Sequence, residues 1–343
     1  MKQGTFTASA FLCMASVAFG QGAQYRMDDA GNWVRVQESM NDSDRASLDR
    51  ARSLIAAGDF DAALEILEPW LTVNESSGNP FVAEALLLRG DAKLGNDEEY
   101  DALFDYEKVV NRFPESEMFS TALEREMDVA SLYFSGRRVK TFGIRIDSGR
   151  PIGEEIVMRI NERLPGSKLA ERGLLELADY YYKRRDLRMA SETYDVFLTL
   201  FPTSRQRLFA MQRRIFANVA QYQGPAYDAN PLIEARLQIE EFETSGAGTA
   251  EKLGLGEELK TRLDESAAEQ MWNVSQWYLK RSDPTSARYT MLRLVRRFPT
   301  TRAAELAFDE LNSRGWMPAA PAPATTEQPD EQPKTESSGG STK

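Results

Sequence analysis

The side chains of this chain that could do chemistry are carboxylates, guanidinium groups and aromatic rings. Its 343 residues contain no histidine and a single cysteine, Cys13. Those two facts exclude Ser-His-Asp and Cys-His catalytic groups, histidine-ligated metals and disulfide frameworks. A pair of carboxylates could still act as general acid and base, as in glycoside hydrolysis. Binding through arginines and aromatic rings is the other chemistry that this composition leaves open.

The net charge of the chain limits the classes of partner that it is expected to bind. The chain has 42 Lys and Arg against 53 Asp and Glu, a net charge of −11. An acidic chain lacks the positive field that nucleic-acid binders use, so we expect no nucleic-acid partner. Three basic clusters stand out, Lys183-Arg184-Arg185, Arg213-Arg214 and Arg293-Arg296-Arg297. They could meet acidic protein surfaces or lipid head groups, or they could be charges on a solvated helix face.

The elements that position these residues are predicted to be helices. From about residue 43 to 313 the apolar spacing is helical, and one phrase recurs at the ends of helical stretches. Its copies are Phe113-Pro114-Glu115-Ser116, Leu164-Pro165-Gly166-Ser167, Phe201-Pro202-Thr203-Ser204 and Phe298-Pro299-Thr300-Thr301, with a degraded copy at Phe242-Glu243-Thr244-Ser245. In each, we expect the apolar residue to end a buried stripe and the Ser or Thr to cap the next helix. In the four copies that have a proline, it stops the helix.

One stretch fits a repeat pattern in detail. Residues 171–204 can be laid on the 34-residue tetratricopeptide pattern, with large and small residues alternating where two helices approach. The packing positions are Leu174, Leu177, Ala178, Tyr181, Ala190, Tyr194 and Phe197. Gly90 is expected to take the small site in an earlier repeat, facing Ala102 and Tyr106. The last repeat places Ser275 and Ala287 similarly.

These patterns predict an all-α fold, a tetratricopeptide-like α-solenoid of about five helix-pair repeats. Before it, residues 25–36 predict a small β-hairpin that docks on the neighbouring helices. The region 317–343 has a composition typical of a disordered tail. The helical pattern is interrupted at 136–150, predicted as a loop or short extended excursion, and at 223–231, predicted as a long turn. The predicted domains are 1–20, 21–42, 43–205, 206–316 and 317–343.

The first twenty residues predict a secretory signal peptide. An apolar stretch from Ala8 to Phe19 follows Lys2 and is shorter than the roughly 20 residues that span a membrane. Ala18-Phe19-Gly20 suits a signal peptidase, so cleavage is expected before Gln21; the alternative is a buried N-terminal helix. Cys13 follows Phe11-Leu12 rather than a small residue, which argues against lipidation.

The run from Leu164 to Glu241 resembles the BamD-like outer-membrane assembly lipoproteins. The shared features are the helix pair ending in Phe201-Pro202-Thr203-Ser204, the stretch from Gln221 to Asp228, and a helix opening at Pro231. The resemblance extends loosely over 45–313. It implies a periplasmic solenoid at the outer membrane, whose partners are a β-barrel-inserting channel and unfolded outer-membrane proteins. By resemblance, repeats in 206–313 dock the channel and the N-terminal repeats face substrate.

Candidate partner-binding residues follow from helical spacing. Arg172, Leu175, Asp179 and Tyr182 share one face of a first helix, and Glu269, Trp272, Gln276 and Leu279 are their equivalents in the last repeat. Tyr182 and Trp272 are hypothesised to anchor a partner segment; the alternative is that each packs on a neighbouring repeat. Arg293 and Arg297 complete the candidate set.

The function predicted from the sequence is a non-catalytic periplasmic scaffold in outer-membrane β-barrel assembly, with peripheral membrane association possible in principle. The sequence predicts no catalytic residue, no cofactor and no metal site. The alternatives are a periplasmic adaptor for cell-wall or envelope machinery and, more remotely, a glycan-cleaving enzyme.

Overall fold

The computed structural model describes residues 25–27, 33–35, 38–141, 143–246 and 248–317. The predicted signal peptide and residues 318–343 of the predicted tail lie outside the described residues. Those predictions therefore remain untested, as does the docking of the N-terminal hairpin, whose side chains are not described.

Helices dominate the described residues. The helices are α1 Glu38–Ala57, α2 Phe60–Asn74, α3 Val82–Gly95, α4 Glu99–Arg112, α5 Met118–Phe134, α6 Arg150–Arg163, α7 Lys168–Lys183, α8 Leu187–Leu200, α9 Arg207–Gln221, α10 Asn230–Ser245, α11 Glu257–Lys280, α12 Pro284–Arg297 and α13 Arg302–Ser313. The strands are β1 Tyr25–Met27, β2 Trp33–Arg35, β3 Arg138–Thr141 and β4 Ile144–Ser148. The first helix begins at Glu38, five residues before the sequence-based boundary at 43.

The chain divides into two compact units, residues 1–176 and residues 177–343. In the first, α1 packs on α2, α3 on α4 and α5 on α6. In the second, α8 packs on α9, α9 on α10, α11 on α12 and α12 on α13. Each unit is thus built from consecutive antiparallel helices, and the predicted all-α, tetratricopeptide-like class is confirmed. The predicted domain boundary at 205/206 stays a prediction.

The four proline-containing closures end their helices in one geometry. Phe113, Leu164, Phe201 and Phe298 leave the helix with φ between −130 and −125° and ψ between 52 and 60°. A following proline disfavours the α region for the residue before it, which explains the shared conformation. Two of the four hydroxyls cap the next helix as predicted, whereas Ser116 and Ser204 accept hydrogen bonds from the N–H groups of Met118 and Gln206, and α5 and α9 begin without a side-chain cap. Ser167 Oγ accepts a hydrogen bond from the Ala170 N–H at 3.1 Å, and Thr301 Oγ1 accepts one from Ala304 at 3.3 Å.

The degraded copy at Phe242 ends the buried stripe of α10 as expected, but the helix itself ends later than in the other copies. Helix α10 continues through Phe242 to Ser245. Glu243 stands where the other copies have proline, and glutamate keeps its N–H and permits the α conformation at the preceding residue. The helix therefore runs three residues further, until the N–H of Gly246 bonds to the carbonyl of Phe242 at 2.7 Å.

Small residues sit where helices approach closely. A Cβ built on Gly90 would lie 2.4 Å from Cε1 of Tyr106, so the fully buried tyrosine ring occupies the place of a side chain. The packing positions predicted for residues 171–204 are all buried, and Ala178, Ala190 and Tyr194 have no exposed surface. The small–large alternation read from the sequence is therefore the packing of the core.

The two hairpins differ in how well the sequence predicts them. Strand β1 pairs antiparallel with β2, as predicted for residues 25–36. The interruption at 136–150, predicted as a loop or short extended excursion, is extended and forms a second antiparallel hairpin, β3–β4. The interruption at 223–231 is the predicted turn, because α9 ends at Gln221 and α10 begins at Asn230.

Candidate partner-binding surfaces

Three of the four candidates on α7, Arg172, Asp179 and Tyr182, contact neighbouring helices within their own units. Arg172 is exposed, and its guanidinium bonds to Glu176 at 2.8 Å and to Asp128 of α5 at 3.1 Å. The hydrogen bond from Arg172 to Glu176 raises the pKa of Arg172 above its ordinary value. Leu175, the next candidate, is half-buried. Arg172 is therefore already engaged in ion pairs on its own surface.

Asp179 and Tyr182 face α8 and α9. Asp179 accepts a hydrogen bond from the hydroxyl of Tyr194, which lies on α8. Burial, together with this carboxylate, raises the pKa of Tyr194 well above that of a free tyrosine. The ring of the half-buried Tyr182 lies 4.8 Å from the guanidinium carbon of Arg213 on α9. Such stacking is a cation–π contact, so Tyr182 presents a tyrosine–arginine pair rather than a bare ring.

Trp272 borders a cavity on α11. It packs partly on the core of the second unit, which includes Ala268 and Leu311. It also lines a cavity of about 440 Å³ with Glu269, Asn273, Arg302 and Leu306, here called the Trp272 cleft. One part of the ring thus serves the core while another lines a surface cavity.

Gln276 lies in a neighbouring cavity. Its Nε2 is buried and has no hydrogen-bond partner among the described residues. It lines a space of about 550 Å³ with Pro225, Ala226, Trp277 and Lys280, here called the Gln276 cleft. A buried amide without a partner costs free energy, and because this nitrogen is itself buried, it is not exposed to a segment bound in the cleft.

Arg293 and Arg297 border a third cavity, of about 600 Å³, here called the α12 cleft. Its wall includes Tyr289 of α12, Gln270 of α11 and Asn230 at the start of α10. Helix α12 carries no acidic residue, and in the described part of the chain neither arginine has an ion pair. Two exposed guanidinium groups therefore face one cavity of an otherwise acidic chain.

The structure brings some predicted residues together and separates others. The Trp272 cleft and the Gln276 cleft share Asn273, and the Gln276 cleft shares Val274 and Tyr278 with the α12 cleft. The three clefts are thus adjacent around α11. Trp272 and Gln276 do not line the α12 cleft with Arg293, because they lie on a different face of α11 from the residues that border that cleft.

Sequence reasoning missed two exposed aromatic residues near these clefts. Tyr289 is 67% exposed and lies one helical turn before Arg293. Trp277 is 49% exposed, and its ring lies 4.5 Å from the guanidinium carbon of Arg281. Their signal was available: neither falls on a repeat packing position, and large aromatics off the core positions are a mark of binding surfaces.

The described residues give no sign of a metal centre or a membrane span. They contain no group of three or more acidic residues, histidines or cysteines placed to hold a metal ion. Among the described helices, none combines the length and apolar character needed to cross a bilayer.

The second half of the chain is similar to a known family. Residues 155–314 match the family model YfiO, described as an outer membrane lipoprotein. This match covers a little under half of the chain and confirms the BamD-like resemblance over that segment. It includes all three clefts, and it does not extend to residues 45–154.

Solved structures with related repeats were also found. One is the C-terminal part of a TPR repeat-containing protein from Cytophaga hutchinsonii, 15% identical, covering 76% of this chain and 86% of that chain with a TM-score of 0.36. Another contains TPR-like repeats of a Podospora anserina protein described as a kinesin light chain, 12% identical, covering 78% and 96% with a TM-score of 0.23. No curated protein matches the chain. The fold assignment rests on the helix pairs themselves, since both TM-scores are low.

Proposed function

We propose that this protein is a non-catalytic scaffold of outer-membrane β-barrel assembly that binds a protein partner at the α12 cleft. The observation that carries the proposal is the position of this cleft inside residues 155–314, the segment similar to outer membrane lipoproteins. The family relationship supports an envelope location, and the cleft supplies a surface for a protein partner.

The chemistry of the α12 cleft favours an acidic protein segment. Arg293 and Arg297 provide planar donors that bind carboxylates in a bidentate manner. Tyr289 adds an exposed ring with few rotatable bonds, the residue type that contributes most at interfaces. Because the cleft is formed by three packed helices, little conformational entropy is lost when a partner binds.

The adjoining Gln276 cleft extends the same surface. Gln276 lines this cleft, but its Nε2 is buried and is not within reach of a partner that enters the cleft. Trp277 lines this cleft beside Gln276 and supplies an exposed apolar contact. The two clefts together form a continuous patch of cationic and aromatic groups.

Charge reversal tests the proposal. The doubly substituted Arg293→Glu/Arg297→Glu protein should fold normally, since both arginines are exposed and have no ion pair in the described chain. After mild crosslinking of native envelopes, the wild type should co-purify with the β-barrel-inserting channel and the variant should recover far less of it. Arg188→Glu, an exposed substitution on α8, is the control.

One outcome would redirect the proposal to the alternative function. Recovery of cell-wall synthases or lytic enzymes without the channel would support the adaptor function instead.

Mass spectrometry of the mature N-terminus tests a separate expectation about anchoring. A chain that starts at Gln21 is not lipid-anchored, whereas a lipid-modified Cys13 would contradict the predicted cleavage.

A further inference from the structure

The β3–β4 hairpin is an insertion between α5 and α6, and its outer edge has no partner strand among the described residues. It precedes the segment matched by the family model. The strands pair antiparallel around Gly143, whose φ of 80° suits glycine at a tight turn. Strand β3 also contacts α4, so β4 is the outer strand. Among the strands that the structure describes, β4 pairs with β3 alone.

Two arginines fix the hairpin to the helices of the first unit. Glu99, which is 2% exposed, accepts hydrogen bonds from Arg145 at 2.9 and 3.1 Å and from Arg137 at 3.0 Å. Arg137 also pairs with Asp97 at 2.7 Å. An isolated two-stranded hairpin is marginal in water. These charge-assisted bonds therefore hold the β4 edge in a fixed position, ready to pair.

The exposed side chains of the hairpin are mainly apolar or basic, with Asp147 and Ser148 exposed at the end of β4. Ile144 is 63% exposed and Ile146 is 57% exposed. Arg138 and Lys140 on β3 are also exposed, and no ion pair to either is found in the described chain. Natural edge strands are usually shielded by charges, covering loops or proline. A bulge and the exposed Asp147 shield part of the β4 edge, but its two isoleucines remain open to solvent.

We propose that β4 binds an extended segment of a partner protein as a third strand. The outer edge of β4 has no partner strand among the described residues, although the Arg138 guanidinium donates to the carbonyl of Ile146 at 3.5 Å. An extended chain could pair with this edge, and main-chain hydrogen bonds supply the affinity in this mode of recognition. The isoleucines favour apolar side chains on that segment, and Arg138 and Lys140 favour carboxylates beside them. The occupant is therefore an extended peptide segment in which apolar and acidic residues alternate.

A bulge limits the length of the added strand. The register shifts between Val139 and Lys140, so β4 has an extra residue at this point. Bulges interrupt the ladder and restrict edge-to-edge pairing. The site therefore suits one short segment rather than open-ended association of copies. Because it lies in the first unit, the proposal is independent of the α12 cleft in the second.

A synthetic peptide tests the pairing directly. The probe is a fluorescein-labelled peptide of about eight residues in which valine and glutamate alternate, a usual strand length. Fluorescence anisotropy with the full chain should show binding that weakens as salt is added. Two further probes carry N-methyl groups on alternate residues, in one frame or in the other. In an added strand, the N–H groups of one frame face β4 and those of the other face solvent.

One N-methylated frame should therefore abolish binding and the other should leave it nearly unchanged. Ile144→Lys/Ile146→Lys should weaken binding of the unmethylated peptide about tenfold. Val73→Lys, at an apolar residue of α2 that is 77% exposed, should bind like the wild type. Circular dichroism checks that both variants fold.

Three results would overturn the proposal. Equal binding of both N-methylated frames would mean that contacts to side chains, not edge pairing, hold the peptide. The same affinity in the double variant and the wild type would place the peptide elsewhere. A dimer that dissociates on the double substitution, with no peptide binding by the wild type, would assign the edge to a second copy.

Discussion

Replacing Glu126 by glutamine should remove a pH dependence of stability from the first unit. Glu126 lies on α5 with no exposed surface, and neither carboxylate oxygen has a hydrogen-bond partner among the described residues. The nearest cation is Arg163, whose Nη1 is 3.9 Å from Oε2. Burial raises the pKa of Glu126 to about 7, although the nearby charges of Arg159 and Arg163 oppose the rise. A carboxyl group with that environment is protonated in mildly acidic solution.

The sign and size of the pH effect on stability follow from the difference between the pKa of Glu126 in the folded chain and in the unfolded chain. Between the ordinary pKa of 4.5 and the folded value of about 7, the folded chain holds a proton on Glu126 that the unfolded chain has released. The free energy of unfolding must therefore fall as the pH rises through this window. The difference in pKa corresponds to about 3 kcal/mol, present in mildly acidic solution and lost above about pH 7.

The assay is urea unfolding of the wild type and of Glu126→Gln, followed by circular dichroism from about pH 5 to about pH 8. Glutamine is neutral throughout, so any constant cost of the substitution cancels when the difference between the two proteins is followed with pH. Relative to the variant, the wild type should lose about 3 kcal/mol over this range. Glu124→Gln, at an exposed position of the same helix, controls for the substitution itself. A difference that stays constant with pH would refute the reasoning, since it would mean that the arginines keep Glu126 ionised throughout.

Three substitutions test the packing account, each by urea unfolding. Gly90→Ala should destabilise the chain by about 1–3 kcal/mol, because the new Cβ overlaps the ring of Tyr106; an unchanged midpoint would mean that the ring can move aside. Tyr194→Phe removes the hydroxyl that bonds to Asp179 and should cost about 1–3 kcal/mol, and a smaller loss would show that the carboxylate finds water instead. Thr301→Ala removes the cap of α13 and should cost about 1 kcal/mol, while Thr301→Ser should retain most of the stability.

The repeat architecture was predictable because its signals are local. Phe113 and Phe298 leave their helices in the conformation that a following proline imposes, and Thr301 caps the helix that begins next to it. Each of these effects depends on residues within one turn of the chain. The packing of Gly90 on Tyr106 was also predictable, since the small residue and the large one recur at fixed spacing.

The β3–β4 hairpin could not be predicted in the same way. Its strands are short, and what holds them is the pairing of Arg137 and Arg145 with Glu99, more than 35 residues earlier in the sequence. No periodicity encodes such a contact. For the same reason the sequence placed Trp272 and Arg293 in one candidate set, whereas the structure puts them in different clefts. Helical spacing shows which residues share a face, but not which neighbours cover that face.

The exposed aromatics show a further limit of pattern reasoning. Repeat patterns identify the residues that fill the core, such as Tyr278 and Met291, and say nothing about the residues on the other helix faces. Tyr289 and Trp277 do not occupy core positions of the repeat and are exposed. Residues that break the expected burial are the ones that a partner can contact, and they become visible when the helices are packed together.

A photocrosslinker at Tyr289 shows whether a protein of the outer-membrane assembly machinery binds at the α12 cleft. The full chain is expressed in its native envelope with p-benzoylphenylalanine at Tyr289 or, as a control, at Val73, two residues of similar exposure. Irradiation should join the Tyr289 position, and not the Val73 position, to the β-barrel-inserting channel. Crosslinks from Tyr289 solely to cell-wall enzymes, or the same adducts from both positions, would contradict it.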